Sequence, residues 1–149
     1  MEIERKFLVD PKEWEKFPKP EPEKIQQGYL TNTPEITVRL RVKGSSGYLT
    51  IKGATQGISR EEFEYEIPVS DVNDMVQIFH TPLLSKLRYR IFHEHHMWEI
   101  DVFEGKLEGL ILAEIELESE NEKFGLPSFV GKEVSEDPKY FNSNLIKNC

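Results

Sequence analysis

The chain has 149 residues and a mass of 17.4 kDa, enough for one hydrophobic core and too little for a second ordinary domain. Nineteen Lys and Arg against 27 Asp and Glu leave a net charge of −8 and a pI near 5.1, which excludes a general nucleic-acid surface or an anionic-membrane surface. The single cysteine, Cys149, excludes an intrachain disulfide and a Cys-based metal site, so a reducing cytoplasm is the expected setting.

Met1 to Lys6 has no apolar signal-peptide core, and no stretch reaches the roughly 20 apolar residues of a membrane span, so a soluble, unexported protein is expected. Glu2 to Val9 alternates as a strand, with Glu2, Glu4 and Lys6 on one face and Ile3, Arg5 and Phe7 on the other. Asp10 and Pro11 read as an N-cap and first-turn proline, opening a short helix through Trp14 to Phe17 that ends before Pro18. Strands follow at Ile25 to Leu30, Ile36 to Lys43 and Tyr48 to Lys52, the last two separated by the turn residues Gly44 to Gly47.

Arg60 to Ile67 is a further alternating strand, and Ser70 is placed to cap a helix through Phe79, with Val72, Met75, Val76 and Phe79 at helical spacing. Ser85 to Phe92, Trp98 to Phe103 and Leu110 to Glu118 complete the long strands. Glu120 to Phe129 is an irregular or helical connector, Lys132 to Val134 a short strand and Pro138 to Ile146 a terminal helix.

One charged face per strand is what an antiparallel sheet wetted on one side would give. These strands go further and segregate sign. Arg39, Arg41 and Lys43 form one cationic column, and Lys86, Arg88 and Arg90 another; Glu62, Glu64, Glu66 and Glu114, Glu116, Glu118 form acidic ones. Like charges two residues apart on a strand lie roughly 6 to 7 Å from each other, so each column needs a counter-charge opposite. A barrel with these faces inward satisfies the demand: cationic columns hold the oxygens of a polyanion, and acidic columns hold the divalent cation that accompanies it. The apolar faces then point outward, to be covered by the segments around Trp14, Met75 to Phe79 and Tyr140 to Leu145.

The opening Glu2-Ile3-Glu4-Arg5-Lys6-Phe7-Leu8-Val9 carries an E-x-E-x-K motif. It is followed in order by Thr37 to Arg41, Leu49 to Gly53, Arg60 to Glu64, Lys86 to Arg90, Asp101 and Ala113 to Leu117. Over nearly its whole length the sequence resembles the CYTH superfamily, or triphosphate tunnel metalloenzymes. The resemblance implies an α+β fold: a closed antiparallel barrel of roughly eight strands forming a charged tunnel, with helices packed outside. It also implies that Arg39, Arg41, Lys52, Lys86 and Arg88 contact triphosphate oxygens, with Arg60 and Arg90 as further candidates. Glu2, Glu4, Glu62, Glu64, Asp101, Glu114 and Glu116 would supply ligands to Mg²⁺ or Mn²⁺, directly or through water, and Lys6 and Tyr29 would help activate the attacking water.

Among family members, the short chain and its opening look most like bacterial inorganic triphosphatases, so hydrolysis of inorganic tripolyphosphate is the preferred reading. Adenylate cyclase, thiamine triphosphatase and a non-catalytic polyphosphate-binding or nucleotide-binding module are the alternatives. A small-molecule triphosphate is thus the expected partner, with neither nucleic acid nor membrane; a homodimer is compatible with the resemblance. Other features are discounted. His93, His95 and His96 around Glu94 fall in a hairpin turn, where solvated histidines are expected. Gly125 to Lys132 lacks Walker-loop spacing, and Glu133 replaces the needed Ser or Thr. Trp14, Trp98, Phe63 and Tyr65 read as packing residues. Glu66, Glu99, Glu118 and Lys43 read as a solvated rim.

Overall fold

The computed structural model describes residues 1–148. These form strands β1 (Glu2–Val9), β2 (Glu23–Asn32), β3 (Ile36–Lys43), β4 (Ser46–Gly53), β5 (Ser59–Arg60), β6 (Glu62–Ile67), β7 (Leu84–His93), β8 (His96–Phe103), β9 (Ile111–Glu116) and β10 (Val130–Glu133). The helices are α1 (Pro11–Lys16), α2 (Val69–Ile78) and α3 (Asn142–Leu145). No helix among the described residues is long and apolar enough to cross a membrane.

All strand pairs are antiparallel, and the hydrogen-bonded path runs β10-β1-β9-β8-β7-β2-β3-β4-β6. That ladder does not itself close. The expected single strand from Arg60 to Ile67 is split at Glu61: β6 pairs with β4, whereas β5 pairs with β1 through Glu2 opposite Arg60 and Ile3 opposite Ser59. The sheet curls into a barrel whose seam is bridged by two residues. A chain that changes ladder partner within one residue cannot zip both edges along their length. Side chains reinforce the seam. Lys52 Nζ donates to Glu2 at 3.0 Å, and Arg60 donates through Nε and Nη2 to the Gly53 carbonyl at 3.2 and 2.9 Å.

Strand parity places the charges inside. The outward series Phe7, Trp98, Ile100, Ala113 and Ile115 is buried under α1 and the 117–129 connector, which contribute Trp14 and Phe129. Trp14 meets the Phe129 ring edge to face at 5.1 Å. Asp10 caps α1 as the sequence predicts, accepting from the Lys12 amide at 2.9 Å. On the other half of the sheet Leu40 is fully buried, and α2 lies over β3 and β4. Gly28 on β2 is required by close packing: a Cβ there would stand 2.5 Å from Thr81 Cγ2 and 2.7 Å from the Pro82 carbonyl oxygen.

Three expectations are corrected. Pro68, not Ser70, occupies the N-cap position of α2, with no side-chain cap; Val72 is its buried anchor, while Phe79 is 58% exposed. Phe63 and Tyr65 are exposed on the outer face of β6, because no element covers that margin of the sheet as α1 covers β1. The C-terminal stretch from 138 is not one helix but two 3₁₀ turns flanking the four-residue α3, and it does not cover an outer face. Leu145 and Ile146 pack instead against Leu8, Leu84, Phe103 and Leu112. Those four share the parity of Lys6, Lys86, Asp101 and Glu114, so the inward columns turn apolar toward one end of the barrel, and the C-terminal segment stoppers that end.

Phe129 joins the connector to the outer core while being fully buried. Phe129→Ala should lower stability by about 3 to 5 kcal/mol, read as a fall in the urea midpoint with an unchanged slope.

Candidate functional site

The inward columns of β1, β3, β7, β8 and β9 bring Lys6, Arg39, Arg41, Lys86, Arg88, Asp101 and Glu114 together, each under 10% exposed: 7, 6, 7, 0, 5, 0 and 6%. So many charges leave water only if they meet one another or a ligand. Deepest is a triad. Arg88 donates from Nε and Nη2 to the two oxygens of Asp101 at 2.8 and 2.9 Å, and Lys86 Nζ lies 2.7 Å from Asp101 Oδ2. The lysine contact has the distance of an ion pair, but its alignment leaves Nζ without a hydrogen-bond acceptor. Burial pulls Lys86 down to about 7 against the opposing pull of Asp101, with Arg88 and Arg41 adding to the fall. For Arg88, Asp101 outweighs burial and holds the guanidinium above its ordinary value.

Above the triad, Arg41 donates from Nε and Nη2 to Gln27 Oε1 at 3.0 and 2.7 Å, and Gln27 passes the chain on to Tyr29 Oη at 2.9 Å. Burial, with Arg39 and Arg88 close by, lowers Arg41 to about 9. Arg39 donates to Thr50 at 3.3 Å, while its Nε is buried with no partner. The sum is a cationic wall with no compensating carboxylate on Arg39 or Arg41, a setting that an anion would relieve.

The acidic wall faces it. Burial raises Glu4 well above the ordinary carboxylate range, with Glu114 and Glu2 adding like-charge repulsion. Burial also pushes Glu114 up, but Lys6, Lys86 and Arg88 outweigh it and hold it well below. In Glu2 burial is outweighed by Lys52, and in Glu62 burial and Glu2 together raise the carboxyl. Lys6 Nζ donates to the Tyr140 carbonyl at 3.0 Å and stands 3.6 Å from Glu114 Oε1, which has no hydrogen-bond partner. Burial lowers Lys6, but Glu114 and Glu4 outweigh it and hold it above its ordinary value.

Among the described residues no three such ligands already converge as a metal cluster. The donor set nonetheless suits a hard divalent cation. It is all oxygen, and it leaves on Glu114 a buried carboxylate oxygen that accepts no hydrogen bond. Mg²⁺ is commonly held by one or two carboxylates together with waters and substrate phosphates.

Two cavities open onto these walls. The wide one, about 800 Å³, is lined by Arg39, Arg41, Lys52, Arg88, Glu62, Glu64, Glu114 and Glu116, with Lys43, Tyr48, Glu99 and Glu118 also on its surface. The narrow one, about 90 Å³, has Lys6, Tyr29, Thr37, Arg60 and the C-terminal residues Phe141 to Ser143 on its walls. Glu2, Glu4, Arg39, Lys52 and Asn142 line both.

Most sequence-predicted residues therefore share one chamber, but four stand apart. Asp101 and Lys86 line neither cavity and lie beneath the floor, with Asp101 turned to cations. Arg90 lines neither; it is exposed and pairs with Glu23 at 3.3 Å and Glu99 at 3.6 Å. Arg60 reaches the narrow cavity with its Nε and Nη2 committed to Gly53 and Thr37. Lys43, Glu99 and Glu118, read as solvated rim, do line the wide cavity, whereas Glu66 does not. Gln27 and Asn142 were not foreseen. Gln27 shares the inward parity of Tyr29 and could have been read from it; Asn142 lies in a segment with no periodicity to mark it.

A CYTH domain model matches residues 1–146. The chain belongs to the CYTH family. It is 45% identical over 148 residues to an inorganic triphosphatase of Acetivibrio thermocellus, covering 99% of this chain and 94% of the relative. It is 37% identical over 150 residues to an inorganic triphosphatase of Nitrosomonas europaea, covering 97% and 95%. A crystal structure of an inorganic triphosphatase superposes with a TM-score of 0.68 at 35% identity, covering 98% of this chain and 94% of that one. The barrel-like sheet of this CYTH chain is the fold it shares with that structure.

Asp101→Asn keeps shape but leaves Lys86 and Arg88 without their buried counter-charge. A loss of about 3 to 5 kcal/mol is expected in denaturant unfolding. Unchanged stability would show that Asp101 does not neutralise the pair.

Proposed function

We propose that this protein hydrolyses inorganic tripolyphosphate with Mg²⁺ or Mn²⁺ as cofactor, releasing orthophosphate and diphosphate. The observation that carries the reading is a cationic wall and an acidic wall facing one chamber, with a buried donor, Arg39 Nε, and a buried acceptor, Glu114 Oε1, both without a hydrogen bond. The activity named for relatives at 45% and 37% identity supports it. So does the general metal dependence of CYTH triphosphatases. A cytoplasmic setting fits a chain with one cysteine.

In this reading Arg39, Arg41, Lys52 and Arg88 hold the phosphoryl oxygens, with the planar guanidinium forks supplying paired charge-assisted bonds. Lys86 and Asp101 act from below: Asp101 orients Arg88, and Lys86 adds positive potential under the anion. Glu2, Glu4, Glu62, Glu64, Glu114 and Glu116 would hold the divalent cation, directly or through water. When bound, that cation neutralises charge on the transferring phosphoryl group. Lys6 and Tyr29 flank the narrow chamber, where they orient water toward the terminal phosphorus. Lys6, as an ammonium, donates to a phosphoryl oxygen. The water oxygen bonds to that phosphorus as the bridging P–O bond breaks, and the water protons end on the products or in solvent. Arg60 ties the seam, and Arg90 braces the rim through Glu23 and Glu99.

Phosphate release from tripolyphosphate, ATP and thiamine triphosphate with Mg²⁺, Mn²⁺ or EDTA tests this. Release from tripolyphosphate with metal, abolished by EDTA, is expected. No release with either metal would leave a binding module, and cyclic AMP from ATP would make the protein a cyclase. Glu4→Gln should cut metal-dependent turnover on the order of 100-fold while the melting temperature holds. Arg41→Ala should raise KM roughly tenfold or more, in line with the loss of a charge-assisted hydrogen bond.

A further inference from the structure

Among the five residues lining both cavities, four are charged and already placed in the site; the fifth, Asn142, is neutral and comes from the C-terminal segment. Its Oδ1 is buried with no hydrogen-bond partner. Its neighbour Asn144, two residues on, donates from Nδ2 to the Pro138 carbonyl at 2.8 Å. The backbone around Asn142 is pinned on both sides. Lys6 Nζ donates to the Tyr140 carbonyl at 3.0 Å, and Asn32 Nδ2 donates to the Ser143 carbonyl at 2.9 Å. An amide on backbone anchored by β1 and β2, with an empty acceptor on the lining that the wide and narrow cavities share, is placed to bind something carrying a proton.

We propose that Asn142 Oδ1 accepts a hydrogen bond from the attacking water and so aims its oxygen at the terminal phosphorus; this rests on the triphosphatase reading above. Phosphoryl oxygens are acceptors and gain nothing from Oδ1, whereas a water molecule has a proton to give it. Neutrality is the reason for an amide at this point. Another carboxylate beside Glu2 and Glu4 would repel the approaching anion, whereas an amide oxygen orients the water without adding charge. Asn142 takes no proton: the water oxygen bonds to phosphorus, the bridging P–O bond breaks, and Asn142 is unchanged at the end.

The test compares Asn142→Leu, of similar size but without an acceptor, with Asn142→Asp, which keeps one. For Asn142→Leu, kcat on tripolyphosphate with Mg²⁺ should fall about tenfold or more with KM within about twofold, and Asn142→Asp should stay more active than Asn142→Leu. Asn142→Leu should keep the wild-type rise in melting temperature on adding tripolyphosphate in EDTA, where no turnover occurs. If Asn142→Leu fails to fold, Asn142→Ala takes its place in the comparison. Undiminished kcat in the variant lacking the acceptor, an aspartate variant no better than it, or loss of the ligand-induced rise in Asn142→Leu would each overturn the proposal. Wild-type protein that releases no phosphate defeats the triphosphatase reading and this proposal with it. Wild-type release alongside an unimpaired Asn142→Leu defeats the proposal alone.

Discussion

Burying a column of like charges is unfavourable unless an opposite column faces it, and the interior of this barrel is organised around that constraint. Asp101 is its pivot: a fully buried carboxylate gripped by Arg88 through two hydrogen bonds and approached by Lys86 at 2.7 Å. Pairs of this kind add little net stability over apolar packing, because desolvation offsets the attraction. What they do here is hold several side chains in one arrangement before any ligand arrives. Higher in the chamber the compensation becomes incomplete. Arg39 and Arg41 lean on the neutral groups of Thr50 and Gln27, and Glu4 and Glu114 crowd each other. The carboxylate at the base is thus matched by cations, while the charges higher in the chamber are only partly compensated.

Such an interior needs its hydrophobic effect from elsewhere. The barrel obtains it on the outside, where Phe7, Trp98 and Ile115 pack under α1 and the connector, and at one end, where Leu8, Leu84, Phe103 and Leu112 meet Leu145 and Ile146. The C-terminal segment therefore has two faces with different chemistry. Its last residues join an apolar floor, while Asn142, just before them, reaches the charged chamber. Stopper and chamber are tied together, since Lys6, set beside Glu114, also donates to the Tyr140 carbonyl.

The turn from His93 to His96 shows how local strain and site shape are joined. Glu94 and His95 both take positive φ, 44° and 69°, which a two-residue hairpin demands and non-glycine residues resist. His95 and His96 thereby come to line the wide cavity, and His96 lies against Glu122 of the connector at 2.5 Å. That contact with the neighbouring carboxylate raises the histidine. These histidines belong to the mouth of the chamber, a placement that spacing along the chain does not reveal.

Alternation is a local property, and so the inward set of Glu2, Glu4, Lys6, Arg39, Arg41, Arg88, Glu114 and Glu116 was readable from the chain: a strand has only two faces, and these columns share one. The same logic assigned the outward apolar residues. Parity does not give depth along the barrel axis, and for that reason Arg90 ends at the rim, Asp101 beneath the floor and Glu118 on the cavity wall. Nor does it tell which sheet margin stays bare, as at Phe63 and Tyr65, or that the strand before Ile67 breaks at Glu61 to bridge the seam. Sequence by itself determined the fold's handedness of chemistry, charge within and hydrocarbon without, because that follows from period-two patterning. Tertiary structure alone decided where each charge found its partner and brought Asn142 to the junction of the cavities, because strand tilt, closure and the docking of an aperiodic C-terminal segment are set by contacts between residues far apart in the chain.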